Sequence, residues 1–193
     1  MRFLMGPWAV GLVAAGLVLP APLRGEEATV PVAVQMDLLA KLIVYDRNLA
    51  NRGGDQVVTL ILVKSGHDES ARAGAQALRT LGQKDEIALR RHAEELVTFV
   101  DAATLAQSCR TLRASVVYVT PGFSDAELSA IGRSLTGISV ISAGAVASSA
   151  RKGLVLSFDL VSGKPKLLIA LGQAEKQQVS LSANVLRLMQ VLP

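Results

Sequence analysis

Two histidines, one cysteine and a scatter of hydroxyls are the side chains of this sequence best suited to chemistry, and their spacing limits what they can do. His67 and His92 lack Cys, His or carboxylate partners at the spacing of metal ligands, so no metal is expected. There is no Gly-x-Ser-x-Gly elbow, phosphate-cradling glycine loop or dinucleotide fingerprint, and no cofactor is expected. Gly53-Gly54 precedes an apolar run instead of opening a helix, the wrong context for phosphate. Asp125 and Glu127 fall at a helix start, where capping and the helix dipole account for them. No catalytic residue is assigned. What remains is a set that alternation of strands and helices brings to one sheet edge: Ser65, His67, Thr120, Phe123 and Ser142. In doubly wound folds that edge binds ligands, so the five form a candidate crevice. The same residues also suit ordinary strand-to-helix turns with capping side chains.

The elements that would position them follow from periodicity. Val32 to Val44 reads as a helix with Val32, Met36, Leu39 and Ile43 on one stripe, ended by the turn cluster Asn51 to Asp55. Val57 to Val63 is a buried strand, and an Ala-rich helix after Asp68 runs to Leu81, with Gly82 as its stop. Residues 83–95 fit a short strand or a helical turn equally well, and His92 reads as part of a solvated, mixed-charge face. Leu96 to Val100 is a strand, Ala102 to Leu112 a helix and Ser115 to Val119 a strand. Ser124 and Glu127 have capping-box spacing before a helix whose inner face is Leu128, Ile131 and Leu135. Ile138 to Ile141 is the next strand, ending at Ser142-Ala143-Gly144.

The last fifth differs. Gly153 to Leu160 and Lys166 to Leu171 are strands joined too briefly for anything but an antiparallel hairpin, expected to close the sheet edge. A final helix from Ser182 is expected to turn Val185, Leu188 and Met189 inward. The fold class is therefore α/β: a layered sandwich with a mostly parallel central sheet, a C-terminal antiparallel β-hairpin and a terminal helix.

The N-terminus speaks to location. Arg2, the apolar run Phe3 to Leu19, and the break at Pro20, Pro22 and Gly25 follow the order of a secretory signal peptide, with cleavage expected after Gly25. A retained anchor is the alternative, because the run approaches the roughly 20 residues that span a bilayer. Of 20 Lys and Arg in the sequence, Arg2 and Arg24 would leave with the signal, so 18 face 16 carboxylates and the mature charge is +2. That modest surplus, without aromatic interleaving, points away from nucleic acid. Cys109 has no second cysteine, and its spacing to Leu105 and Leu112 places it on the apolar face of a helix as an inert thiol.

The C-terminal block carries a resemblance. Gly153 to Leu160, Ser162 to Lys166 and Leu167 to Leu171 resemble the closing hairpin of the YfiR-like family. Ala174 to Val191 is similar to that family's terminal helix pattern, Leu39 to Ile43 to its first helix and Ala114 to Val119 to its central strand. The chain departs from the family at Tyr45-Asp46, where Trp-Pro is common, and at Ala114, where Cys is common. It departs again at Lys152-Gly153, where Gly-Gly is common, and at Ala170, where Asn is usual. Cys109 matches no family cysteine, so disulfide-based redox control does not carry over. The resemblance implies one YfiR-like domain over residues 26–193, located in the periplasm. It further implies a non-catalytic regulator that restrains a membrane signalling enzyme, a diguanylate cyclase, through that enzyme's periplasmic sensor region. A periplasmic solute-binding module of a transport system is the rival reading. The partner, any small ligand and a homodimer stay open at this level.

Overall fold

The computed structural model describes residues 29–193, so the expected signal peptide lies outside the described residues. The chain runs α1 (Val32–Ile43), α2 (Leu49–Gly53), β1 (Gln56–Lys64), α3 (Asp68–Gly82), β2 (Arg91–Phe99), α4 (Ala102–Thr111), β3 (Val116–Val119) and α5 (Asp125–Ser134). It continues with β4 (Ile141–Gly144), a 3-10 turn (Ala147–Lys152), β5 (Leu156–Val161), β6 (Lys164–Ala170), α6 (Leu171–Lys176), α7 (Ala183–Leu186) and β7 (Gln190–Leu192). The strands form one seven-stranded sheet in the order β2-β1-β3-β4-β5-β6-β7. Every neighbouring pair is parallel except β5 and β6.

Alternation along the strands divides the apolar side chains between two layers. One face of the sheet, with Ile61, Tyr118 and Phe158, packs beneath α1 and α3 through Met36, Leu39, Ile43, Ala77 and Leu81. The other, with Leu60, Leu62, Val117 and Val119, packs beneath α4 and α5 through Leu105, Cys109, Leu128 and Ile131. Close approach of α5 to the chain after the 3-10 turn requires Gly132, where a Cβ would stand 2.0 Å from the carbonyl oxygen of Gly153. The helix starts are capped from within: Asp101 accepts from the Thr104 amide at 2.8 Å, and Ser124 and Glu127 complete the expected capping box.

Several expectations shift, each for a local reason. The cluster after α1 holds the short helix α2 before the turn at Gly54. Gly82 is the last helical residue of α3, and the cap is Gln83 in right-handed α conformation, so no left-handed glycine stop forms. In the ambiguous segment Ile87 and Arg90 pair across Ala88-Leu89, both at positive φ (55° and 58°), and β2 then begins at Arg91. The mixed polarity of β2 fits its place at the sheet edge. Residues 138–140 are not strand: the Gly137 and Val140 amides bond the carbonyls of Lys176 and Gln177, and β4 begins only at Ile141.

The hairpin turns on Ser162-Gly163, at φ 52° and 73°, the left-handed pair that a two-residue connection requires. It does not close the edge, because β7 adds in parallel outside β6. The expected terminal helix shortens to the four residues of α7, since the chain returns to give β6 its neighbour. Val185 and Met189 are buried as expected, but Leu188 is 72% exposed.

Candidate functional site

The strand order reverses at β1, so β2 and β3 diverge from either side of it and leave the switch point where such folds accommodate ligands. The expected crevice residues lie around that point, yet most are spent on holding the fold. Ser70 Oγ accepts from the Lys64 amide at 2.7 Å, and Thr120 Oγ1 donates to the Leu62 carbonyl at 2.8 Å. The 2.6 Å contact between the two hydroxyls is therefore made by the Ser70 proton, and Thr120 is the acceptor. All three bonds lie at the carboxyl end of β1, with Ser70 and Thr120 buried.

His67 sits in the N-cap position of α3, where its Nδ1 accepts from the Ser70 amide at 3.3 Å. Its ring lies flat on Gly122, where a Cβ would come within 2.7 Å of the imidazole, and that glycine has a φ of 100°. Phe123 meets Phe99 edge-to-face at 5.3 Å between centroids. Lys64 Nζ reaches over the same ring at 5.8 Å, and donates to the Gly122 carbonyl at 3.1 Å and to Glu127 Oε2 at 2.8 Å. The hydrogen bond from Lys64, then that from the Ser124 amide, holds the Glu127 carboxyl below its ordinary range. The expected set thus separates. His67, Thr120 and Phe123 come together as joints of the switch point, and Ser65 is exposed beside them.

Ser142 does not join them. It lies within β4, fully buried, and its Oγ accepts from the Val155 amide at 3.0 Å. The reason is the displaced start of β4, which draws Ser142 into the sheet.

Sequence reasoning passed over two further polar joints. Gln35 on α1 donates to the carbonyls of Val30 (2.7 Å) and Ala145 (3.1 Å) and accepts from the Tyr118 hydroxyl at 2.8 Å. Burial pushes that hydroxyl's pKa upward. Asp46 and Arg52 form a fully buried ion pair at 2.5 Å. Arg52 also donates to Ser139 Oγ and the Gln178 carbonyl, each at 3.0 Å, and Asp46 accepts from the Ser180 amide at 3.0 Å. Burial lowers the Arg52 pKa, with Asp46 opposing the shift. A charged pair six residues apart in a turn-rich segment gives no signal of this role in the sequence.

His92 corrects the solvated-face reading, for its side chain is only 10% exposed. Its Nδ1 is 2.6 Å from Glu94 Oε1 and its Nε2 is 2.7 Å from the Lys84 carbonyl. Both partners are acceptors, so the arrangement is complete only for the doubly protonated ring. Burial lowers the pKa, but the bonds to Lys84 and Glu94 outweigh it and the net shift is upward. Cys109 is buried and burial pushes its thiol up to about 12, as an inert packing residue requires. Leu112, expected on the same stripe, is 36% exposed. Among the described residues no cluster of three or more His, Cys, Asp or Glu is placed to hold a metal.

Concave surface lies at the far end of the sheet and beside these joints. Between α1, β6 and the α7 segment a cavity of about 240 Å³ is lined by Leu38, Leu42, Tyr45, Leu167, Val185 and Leu188, with Lys41 at its rim. A second, more polar hollow opens beyond the ends of β3 and β4 beside Arg72, Gln76 and Pro121.

Among solved structures, a conserved domain protein from Vibrio cholerae matches with a TM-score of 0.55 at 12% identity, over 86% of this chain and 60% of that one. The ABC domain from Streptococcus pneumonia, solved in complex with L-Trp, matches at 0.59 and 12% identity over 84% and 62% of the two chains. A ligand-free, open substrate-binding protein with adhesive properties from Clostridium difficile matches at 0.54 and 10% identity over 75% and 57%. The chain therefore spans between 57% and 62% of these proteins' lengths, and at such identity the likeness is one of α/β fold. No curated protein matches the chain. The model of the YfiR/HmsC-like family matches residues 34–190, from the first helix through the last strand. The chain belongs to the YfiR/HmsC-like family.

Proposed function

We propose that this protein is an exported, non-catalytic regulator, working in the periplasm after cleavage near Gly25. It restrains a membrane signalling enzyme, a diguanylate cyclase controlling cyclic-di-GMP and biofilm formation, by binding its periplasmic sensor region. The observation that carries this reading is the family match over residues 34–190. The switch point adds support, because the groups that would serve a ligand there are engaged with one another. Physically, the regulator binds one conformation of the sensor more tightly, and the difference in affinity sets the inhibition. A tenfold preference corresponds to about 1.4 kcal/mol, within reach of a modest interface. Deleting the gene is expected to raise cyclic-di-GMP and surface attachment, and pull-down from periplasm to recover the sensor. Intact mass of the periplasmic protein checks the cleavage, and a membrane-bound form still starting at Met1 would refute it.

The likeness to a substrate-binding protein keeps a second reading in view, a periplasmic solute-binding module. If deletion leaves cyclic-di-GMP unchanged and abolishes uptake of a solute, that reading replaces the first.

A further inference from the structure

The end of the sheet formed by β6 and β7 gathers several apolar side chains open to solvent, while Leu89 and Val100 are exposed elsewhere on the chain. Leu188 is 72% exposed, Val44 58%, Val191 48% and Tyr45 47%. Tyr45 and Leu188 line the same shallow cavity, floored by Leu42, Leu167 and Val185. Val191 pairs in register with Ile169, which shares with Leu167 the sheet face beneath α1, so it joins the patch from the outermost strand. The exposure of Leu188 is built rather than frayed. Its amide bonds the Val185 carbonyl at 3.0 Å, and its own carbonyl accepts from Lys166 Nζ at 2.9 Å. Those two bonds fix the backbone that presents the side chain outward.

Cations predominate around the patch. Lys41 lines the cavity, Lys166 grips the Leu188 carbonyl and exposed Arg187 stands beside it; Asp159 pairs in register with Lys166, but among the described residues no carboxylate lines the cavity. Residues 147–193 hold six Lys and Arg against two carboxylates. Of these, Lys166 and Arg187 stand at the patch, while Lys152 is paired with Asp125 on α5. Apolar side chains that protrude, a half-exposed tyrosine and a ring of cations form the pattern of a surface that settles at a lipid headgroup boundary. Protein interfaces are depleted in lysine, whereas two of the three cations at this patch are lysines.

We infer that this face is a docking surface for an anionic lipid bilayer, with Leu188 and Tyr45 entering the headgroup layer and Lys41, Lys166 and Arg187 meeting lipid phosphates. It would hold an exported protein against the membrane, and it stands whether or not the cyclase is the regulatory target. The test is co-sedimentation of the mature protein with vesicles of phosphatidylethanolamine and phosphatidylglycerol, against vesicles of phosphatidylcholine alone. Partition is expected to be about tenfold or more higher on the anionic vesicles and to fall as salt is raised. Leu188→Ser, at an exposed position, should keep the native circular dichroism spectrum and weaken binding severalfold. Lys41→Glu with Arg187→Glu should remove the preference for anionic lipid. No binding to anionic vesicles, or binding that Leu188→Ser and the double charge reversal leave unchanged, overturns the inference. Binding to the isolated sensor region that Leu188→Ser abolishes, with no vesicle bound, overturns it in favour of a protein partner. Cyclic-di-GMP levels in the deletion strain report separately on the regulatory reading.

Discussion

The two ends of the sheet handle polar and apolar groups in opposite ways. Outside β1 and β3, where the topology offers a ligand crevice, the polar groups satisfy one another: Ser70 with Thr120, Lys64 with Glu127, His67 with the start of α3. Beyond β6 a buried ion pair ties the segment after α1 to residues 178–180, and around β6 and β7 apolar side chains are left facing water. The difference teaches that a topological switch point is a place where chain ends converge, not in itself a site. Convergent polar groups can serve as a mechanical joint once they find partners in the same chain. Interaction then falls to the end where partners are missing.

The sharpest way to break the contrast is at the ion pair. Arg52→Ala leaves Asp46 charged, buried and unpaired, and frees the carbonyl of Gln178 and the hydroxyl of Ser139. Urea denaturation is expected to show a loss of about 3–5 kcal/mol. Hydrogen exchange should quicken first in residues 177–192, while β1 and β3 stay protected. Equal loss of protection at both ends would mean that they are one cooperative unit.

The hydroxyl pair at the switch point should yield less, because its contacts are neutral. Thr120→Val keeps the shape but removes the acceptor of the Ser70 proton and the donor to Leu62. A cost of about 1–3 kcal/mol is expected by the same denaturation assay. A change near zero would show that the hydroxyl pair is idle and that the crevice is free to take a ligand.

What the sequence disclosed follows the same division. The parallel half was legible because its helices carry stripes of one period and its strands are continuous apolar runs. Met36, Leu39 and Ile43 are buried, Ser124 and Glu127 form their capping box, and Val116 to Val119 lie in the sheet. The hairpin was legible from the shortness of its connection. The terminal strand was not, since three residues after a four-residue helix leave no period to detect. Ser142 lies within β4 because residues 138–140 have strand-like composition but the amides of Gly137 and Val140 bond the carbonyls of Lys176 and Gln177. Of the five crevice candidates, His67, Thr120 and Phe123 meet at the switch point with Ser65 exposed beside them, and Ser142 lies apart within β4. What they do there depended on Lys64, Ser70 and Glu127, whose partners are distant in sequence. His92 was taken for a surface residue because no local pattern shows that a carbonyl eight residues earlier closes on its ring.

His92 sharpens the comparison through pH, at the β2 edge beyond the switch point. Its folded pKa is raised above the ordinary value near 6.5, so its contribution is complete below that pH and is lost as pH rises through the folded value. The groups that face it are the Lys84 carbonyl and Glu94, which favour the charged ring, and the Lys84 ammonium, which opposes it. Wild-type stability should therefore decline from about pH 6.5 upward relative to His92→Gln, which carries no titrating ring. Parallel stability curves for the two proteins over that range would show that the imidazolium clamp contributes nothing.

The smallest expected effect belongs to Lys64, and it tests whether the joint depends on charge or on packing. Its ammonium bridges to Glu127 with side chains about a third exposed, 31% and 28%, so solvent screens the pair. Exposed pairs of this kind contribute about 0.2–1 kcal/mol, and Lys64→Met, which retains the stem over Phe123, should cost no more. The Glu127 carboxyl is depressed chiefly by Lys64, so its contribution is present above the unfolded value near 4.3 and is lost as pH falls through the folded one. The two proteins should therefore differ at neutral pH and converge in acid, as each carboxyl takes up its proton. A constant difference across that range would assign the role of the Lys64 ammonium to its bond to the Gly122 carbonyl and its place over the Phe123 ring. A difference well above 1 kcal/mol would mean the switch point is drier than its exposure indicates, and closer in kind to the buried pair at the far end.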